Sequence, residues 1–555
     1  MEISEETKKG NVTMNVAEVR DFLAEDFIKQ EEELREQSNP SEIQKFYEGT
    51  TILLTGATGF VGKILLEKLL RSCTTVKRIY VLLRSKKGKS IEKRMQEELE
   101  EPVYEMLLRK QPGILKKMTL INSDLTQDEI LSEEDRRMLV KEVDIVFHCA
   151  ATVRFDEKLR QAVNINVKST KYLLDMAREM SNLKAFIHVS TAYANCIMTE
   201  IPEKIIPLKY DYKKIVELVN LLDDDVLERI TPEILEKWQN TYVFTKAVAE
   251  YTVKEYGKGL PVGVFRPSIV TSTAKEPLIG WANNYYGPQG VVFGAGIGLL
   301  RVLYCDPKII ADMVPVDLVS NAIIAFGWDI AQTKGDNPNF EQLSWREDGR
   351  DENGNGNDRT DTDDITVMNY VSSNNNPIQW DTFMDHNYKV RYESYSKLML
   401  WHSCLTLTGN YYSYQVQKFF FHLVPAVIVD AIAILLGKKP MLWKAYKKIH
   451  KFSRIISYFC LNQFKFEEKT PMIVWNKMSD RDKEIFYFNI ADLNWTDYLD
   501  QYLKGLRVYL AKDDMSTLPE GRRKAVKLQI AHYTLVTFLY LLGFYMLWRI
   551  FSLFV

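Results

Sequence analysis

The sequence predicts an α/β protein: a doubly wound parallel sheet, then a mostly helical C-terminal domain, then a C-terminal helix of membrane-spanning length. Three observations carry this. Short apolar runs alternate with amphipathic segments through the first half of the chain. A glycine-rich turn closes the first of those runs. The last 23 residues hold a single charge, Arg549.

The strands follow in order. Thr51-Ile52-Leu53-Leu54 is the first, and Ile64, Leu65, Leu69 and Leu70 repeat behind it near the helical period. Ile79 to Leu83, Thr119 to Ile121, Asp144 to Phe147, Phe186 to Val189 and Val262 to Phe265 give five more. Strands separated by helical segments imply a sheet covered on both faces. The boundaries expected are an N-terminal extension over 1–48, the sheet domain with a substrate subdomain over 49–332, and an Asp/Asn/Gly-rich insert over 333–365. A helical domain over 366–524 and an anchor over 525–555 complete the chain.

The 555 residues carry 72 Lys and Arg against 74 Asp and Glu. A near-neutral chain has no bulk electrostatic reason to bind nucleic acid. An apolar share of 46% excludes a wholly disordered chain. The six cysteines are scattered, so neither a disulfide framework nor a zinc ribbon is expected, and the histidines form no recognisable metal site. The acidic N-terminus lacks the apolar stretch of a secretory signal.

Thr55-Gly56-Ala57-Thr58-Gly59-Phe60-Val61-Gly62 is a G-x-x-G-x-x-G turn from strand into helix. Its glycines allow a tight turn and close approach to a pyrophosphate, which the helix N-terminus favours. At the end of the second strand, where a carboxylate would bind the ribose of NAD, stands Arg84-Ser85-Lys86-Lys87. A guanidinium suits the 2′-phosphate of NADP(H), with a solvated basic turn as the plainer alternative.

Tyr242 and Lys246 are four residues apart, on one face of a helix. An ammonium beside a phenol lowers its pKa and fits it for proton transfer to a substrate oxygen. The same spacing recurs at Tyr210/Lys214 and Tyr414/Lys418. Tyr242 is favoured because it lies in the dinucleotide domain, beyond Ser190-Thr191 at the polar end of the fifth strand.

With these pieces assembled, the chain resembles the extended short-chain dehydrogenase/reductases of Rossmann type, and more closely the alcohol-forming fatty acyl-CoA reductases. The resemblance begins near Ser41 to Tyr47 and runs through the glycine turn, Lys68 to Cys73, His148 to Phe155 and Val163 to Val167. It continues through His188 to Tyr193, Phe265 to Val270, Gly280-Trp281 and Gly287 to Gly298. Val371 to Trp380, Gly437 to Met441 and Ser516 to Pro519 resemble that family's helical C-terminal domain. The insert is longer than expected for the family.

The resemblance implies that Thr191, with Ser190 as alternative, hydrogen-bonds the acyl oxygen. It implies that Tyr242 donates the proton and Lys246 holds the nicotinamide ribose. It puts Thr55, Gly56, Thr58, Gly59, Phe60 and Gly62 at the pyrophosphate, Arg84 at the 2′-phosphate and Asp124-Leu125 at the adenine. Ala150, Asn166 and Pro267 would sit beside the cofactor. The implied cofactor is NADPH, the substrate a long-chain acyl-CoA, and the product a primary alcohol made through an aldehyde. A homodimer is compatible with it. A reductase that stops at the aldehyde, a sterol or sugar-nucleotide dehydrogenase, and a silent lipid-binding scaffold are the alternatives.

At ~1.5 Å per residue, Tyr533 to Val555 reaches across a hydrocarbon core of ~30 Å. Arg522, Arg523, Lys524 and Lys527 precede it and would keep the catalytic domain cytosolic. The alternative is a buried helix. The endoplasmic reticulum is favoured over the peroxisome. A second apolar run, Phe419 to Leu436, holds His422, Pro425 and Asp430. A core helix is its default reading, with an acyl-pocket wall or a membrane-surface helix as alternatives.

Asp351 to Gly356 looks like the start of a calcium loop, but its twelfth position is Thr362, so no site is assigned.

Overall fold

The computed structural model describes residues 39–86, 88–335 and 365–552. The calcium-like stretch and most of the insert and N-terminal extension lie outside them. Seven parallel strands build the sheet: β1 (Thr51–Thr55), β2 (Arg78–Leu83), β3 (Met118–Asn122), β4 (Ile145–His148), β5 (Ala185–Val189), β6 (Val262–Pro267) and β7 (Thr366–Tyr370). Their order is β7-β6-β5-β4-β1-β2-β3, so the winding reverses between β1 and β4. Ligands bind at such a switch point, outside the carboxyl ends of the strands.

The pleat sends alternate side chains to opposite faces. Ile52 and Leu54 of β1 pack with Leu65 and Leu69 of α2 (Phe60–Ser72) and with Ile323 and Phe326 of α5 (Val316–Gly335). Leu53 faces the other way, toward Leu173 and Leu174 of α3 (Ser169–Glu179) and Val253 of α4 (Thr241–Tyr256). Buried on both faces, the strands read as continuous apolar runs.

Three expectations about boundaries are corrected. Residues 366–370 were assigned to the helical domain, yet β7 pairs with β6 in register Thr366↔Gly263 through Tyr370↔Pro267. The five-residue strand gives a faint signal, and its partner lies on the far side of the insert. At the other end, α1 (Glu42–Tyr47) belongs to the sheet domain and not to an extension. Ser41 and Gln44 form a capping box, and the Tyr47 hydroxyl donates to Ile324 O at 2.8 Å. Helix α5 runs to Gly335, past the expected start of the insert at 333.

The C-terminal domain is helical, as expected, but it is knitted into the first. The Glu203 carboxylate accepts from the N–H groups of Asn369, Lys469 and Thr470. Three of its helices matter below: α6 (Tyr411–Leu435), α7 (Leu442–Leu461) and α8 (Leu518–Phe551). Helix α6 departs from the core reading, because most of its apolar surface is exposed.

Candidate active site

The glycine turn forms a cradle at the tip of β1. Gly56 has φ +76°, and a Cβ there would come within 2.6 Å of the Ala150 backbone N. A Cβ on Gly62 would meet Gly56 O at 2.2 Å. Both positions therefore need glycine. Gly59 is the N-cap of α2 and supplies no capping side chain, so the first N–H groups of the helix are free for an anion. Thr58 and Gly59 keep surface open here, as does Ala150 opposite. Phe60 stacks on Trp281 with centroids 5.5 Å apart, fixing the first turn of the helix.

Arg84 and Asp124 stand at the neighbouring ends of β2 and β3, with guanidinium and carboxylate 3.8 Å apart and both about half-exposed. Asp124 also accepts from Thr126 N at 3.0 Å, and Leu125 beside it is half-buried. These residues, with the cradle, fit a nicotinamide dinucleotide: the anion site, the open walls and an available cation are all present.

Two expected cofactor contacts are turned inward instead. Thr55 is wholly buried, with its hydroxyl 2.8 Å from His148 Nδ1 and accepting from Ala150 N at 3.1 Å. Asn166 is also buried; its Oδ1 accepts from Thr152 N at 2.9 Å and its Nδ2 donates to Thr245 Oγ1 at 2.9 Å. Both shape the wall rather than face the opening. Pro267 is buried at the end of β6, in register with Tyr370.

Thr191, Tyr242 and Lys246 come together at the carboxyl edge of β5. Asn240 caps α4 by accepting from Val243 N at 3.0 Å, which sets the helix phase. Lys246 is buried and its Nζ donates to Val189 O at 2.7 Å. The Tyr242 phenol lies close enough to the Thr191 hydroxyl for Thr191 to act on its titration. Burial pushes Tyr242 up to about 12, and Thr191 works against that. Burial also brings Lys246 down to about 8, opposed by Cys149 and Glu250. The expected lowering of the phenol's pKa by the lysine does not emerge: burial dominates and keeps Tyr242 neutral.

Ser190 and Thr191 have different surroundings. The Ser190 hydroxyl donates to Glu250 Oε1 at 2.5 Å, while Thr191 faces the phenol. Glu250 is held by the Arg266 guanidinium, Nε to Oε1 at 2.8 Å and an Nη to Oε2 at 2.7 Å. The same guanidinium donates to Pro202 O, Lys204 O and Asn369 Oδ1. Sequence reading missed this pair. Its signal was a carboxylate eight residues past Tyr242 on the same helix, within the run Ala247-Val248-Ala249-Glu250, and a lone guanidinium in an apolar strand.

An aromatic wall was also missed. Phe155 lies 5.7 Å from the Tyr242 ring and 6.2 Å from Phe459 of α7. Phe459 also meets Tyr193 edge-on at 5.2 Å. The C-terminal domain thus places an apolar lining beside Tyr242.

Two family models, both described as male sterility protein, match residues 54–323 and 421–513. The fatty acyl-CoA reductase wat of Drosophila melanogaster is 37% identical over 515 residues, covering 93% of this chain and 94% of that protein. Fatty acyl-CoA reductase 1 of Rattus norvegicus is 36% identical, covering 92% and 93%. Fatty acyl-CoA reductase 2 of Homo sapiens is 34% identical over the same shares. Among solved structures, the reductase domain of a nonribosomal peptide synthetase from Mycobacterium tuberculosis aligns with a TM-score of 0.52 at 19% identity, over 83% of this chain and 92% of that one. That likeness speaks for the fold. Identity sustained across both halves places the chain in the fatty acyl-CoA reductase family of oxidoreductases.

Proposed function

We propose that the protein reduces long-chain acyl-CoA to primary alcohol with NADPH, in two rounds at one site. The observation that carries this is the grouping of Thr191, Tyr242 and buried Lys246 at the carboxyl edge of a dinucleotide-type sheet. The names of the relatives support the acyl-CoA substrate, and Arg84 supports NADPH over NADH.

When bound, the nicotinamide supplies the hydride. Gly56, Gly59 and Gly62 would line the pyrophosphate, Arg84 would pair with the 2′-phosphate, and Lys246 would reach the ribose. In the first round Thr191 hydrogen-bonds the thioester oxygen and Tyr242 gives it a proton. The resulting hemithioacetal breaks its C–S bond and releases CoA, leaving an aldehyde. In the second round the same two groups serve the aldehyde oxygen, and a primary alcohol forms. One oxyanion-stabilising arrangement suffices because the charge develops on the same atom twice. The aromatic wall excludes water from the aldehyde between rounds. Arg522, Arg523, Lys524 and Lys527, in the part of α8 before Tyr533, favour a cytosolic active site, which we place on the endoplasmic reticulum membrane.

The test is detergent-solubilised full-length protein with NADPH or NADH and a mixture of acyl-CoA lengths, followed by identification of lipid products. Primary alcohols formed with NADPH, and lost in Tyr242→Phe, are expected. Free aldehyde as sole product would overturn the two-round scheme. No turnover of any acyl-CoA would overturn the substrate.

A further inference from the structure

Helix α8 leaves the folded protein at His532. Before that point it is docked: a Cβ on Gly521 would meet Tyr395 O at 2.1 Å, and Arg522 Nε donates to Tyr392 O at 3.0 Å. The last hydrogen bond is from the Trp401 indole to His532 Nδ1 at 3.1 Å, and the Tyr533 ring still meets His402 at 5.6 Å. Tyr533 to Phe551 then projects with no buried residue. At ~1.5 Å per residue this part spans about 28 Å, the thickness of a hydrocarbon core. If α8 crosses a membrane, the bilayer surface lies level with His532 and Trp401.

Arg301 marks the same level, because its guanidinium lies over the Trp401 ring at 5.5 Å. Arg301 also holds α6. Its backbone N–H donates to His422 Nε2 at 3.0 Å, and its guanidinium reaches Phe421 O at 3.4 Å. That carbonyl lacks its usual helical partner because Pro425, four residues on, has no N–H. So α6 sits at the height where α8 enters the bilayer.

Helix α6 cannot itself cross. Tyr414, His422, Ala426 and Asp430 are its buried residues, spaced by eight, four and four, a stripe that keeps its length against the domain. Asp430 does not face lipid: its carboxylate accepts from the N–H groups of Met441, Leu442 and Trp443 and starts α7. The other faces are apolar and open, with Phe420 60% and Leu435 85% exposed. Lys438, Lys439, Lys444 and Lys447 follow at once. An apolar face bordered by lysines, with Trp443 among them, suits the boundary between acyl chains and headgroup phosphates.

We propose that α6 lies in the plane of the membrane interface, its apolar faces in the acyl-chain boundary and the lysines after it on headgroup phosphates. The protein then holds the bilayer at two places, one crossing and one lying flat. This rests on the membrane reading of α8, and the experiment separates the two.

Full-length protein is placed in vesicles of phosphatidylcholine and phosphatidylserine carrying a photoactivatable diazirine lipid. One lipid bears the diazirine near the glycerol end of its acyl chain, the other at the terminal methyl. Adducts are mapped by mass spectrometry. The expected result is shallow-probe adducts along α6 from Val416 to Leu435, several-fold above the deep probe at every position. Residues 533–551 should take the deep probe near their middle. A deep-probe maximum in the middle of α6 would show a crossing helix and overturn the proposal. Adducts on 533–551 with none on α6 would overturn it too. Shallow adducts on α6 with none on 533–551 would sustain it and sink the anchor instead. Absence from both segments would sink both.

Discussion

Glu250 accepts the Ser190 hydroxyl at 2.5 Å, and so engages one of two adjacent hydroxyls at the end of β5. The carboxylate stands one turn beyond Lys246 on α4, and Arg266 fixes it from β6. The side chain next to Ser190 is thereby left as the one that meets the phenol.

Exchanging each hydroxyl separates their roles. Thr191→Ala should lower kcat by about 10²–10³-fold, the usual cost of losing an oxyanion donor. Ser190→Ala should leave kcat within a few-fold but lower stability by about 1.5–3 kcal/mol, the value of a hydrogen bond to a charged group. Steady-state kinetics and denaturant melts on the two variants check this. Equal kinetic losses would contradict it.

Lys246 should impose a basic limb on catalysis. Burial holds it at about 8, below the ordinary 10.5. The native site therefore gives up this proton before the unfolded chain does. Stability should rise as pH climbs from about 8 toward 10.5, where the unfolded state binds more protons. Activity that needs the ammonium should fall over the same range, so kcat/KM should decline above about 8. The limb should vanish in Lys246→Arg, whose charge persists. A profile of kcat/KM against pH for both proteins measures it.

Glu276 ties the helix after the glycine turn to the rest of the core. Burial alone would raise it, but Lys68 and Arg71 hold it down to about 2, through Lys68 at 2.7 Å and Arg71 at 2.8 Å. A carboxylate depressed below its ordinary 4.5 stabilises the fold above that pH, and the contribution is lost as pH falls through about 2. Glu276→Gln should cost about 3–5 kcal/mol near neutrality, since it leaves two buried cations underpaired. The difference from the parent should shrink steadily below pH 4.5. Thermal melts of both proteins across that range are the check.

Arg84→Glu should reverse cofactor preference. The variant sets a carboxylate against the 2′-phosphate, so NADPH affinity should fall by about 10–100-fold while NADH affinity holds. Isothermal titration with each nucleotide reads this directly. Equal losses for both would mean that Arg84 serves the fold.

Much of this architecture was legible in advance. Mostly apolar runs of three to five residues mark β1 through β6 because strands covered on both faces leave little room for polar residues. Tyr242, Lys246 and Thr191 were legible because their chemistry is local to one helix and one strand end. Glu250 with Arg266, and Phe155 with Phe459, were not: each pair exists only once distant segments pack. The exposure of α6 was hidden for a different reason. An apolar run states that water is excluded, but not whether protein or lipid excludes it.

The edge position of β7 sets a condition on synthesis. β6 leaves the ribosome about a hundred residues before the strand that pairs with it. At about 5–20 residues per second, translation leaves that edge unpaired for roughly 5–20 seconds. An open row of N–H and C=O groups on an apolar strand invites pairing with other nascent chains. The insert supplies about a third of that delay, and chaperone cover during the interval should raise the yield of folded protein. A message that ended within the insert would release a chain fixed in its most aggregation-prone form.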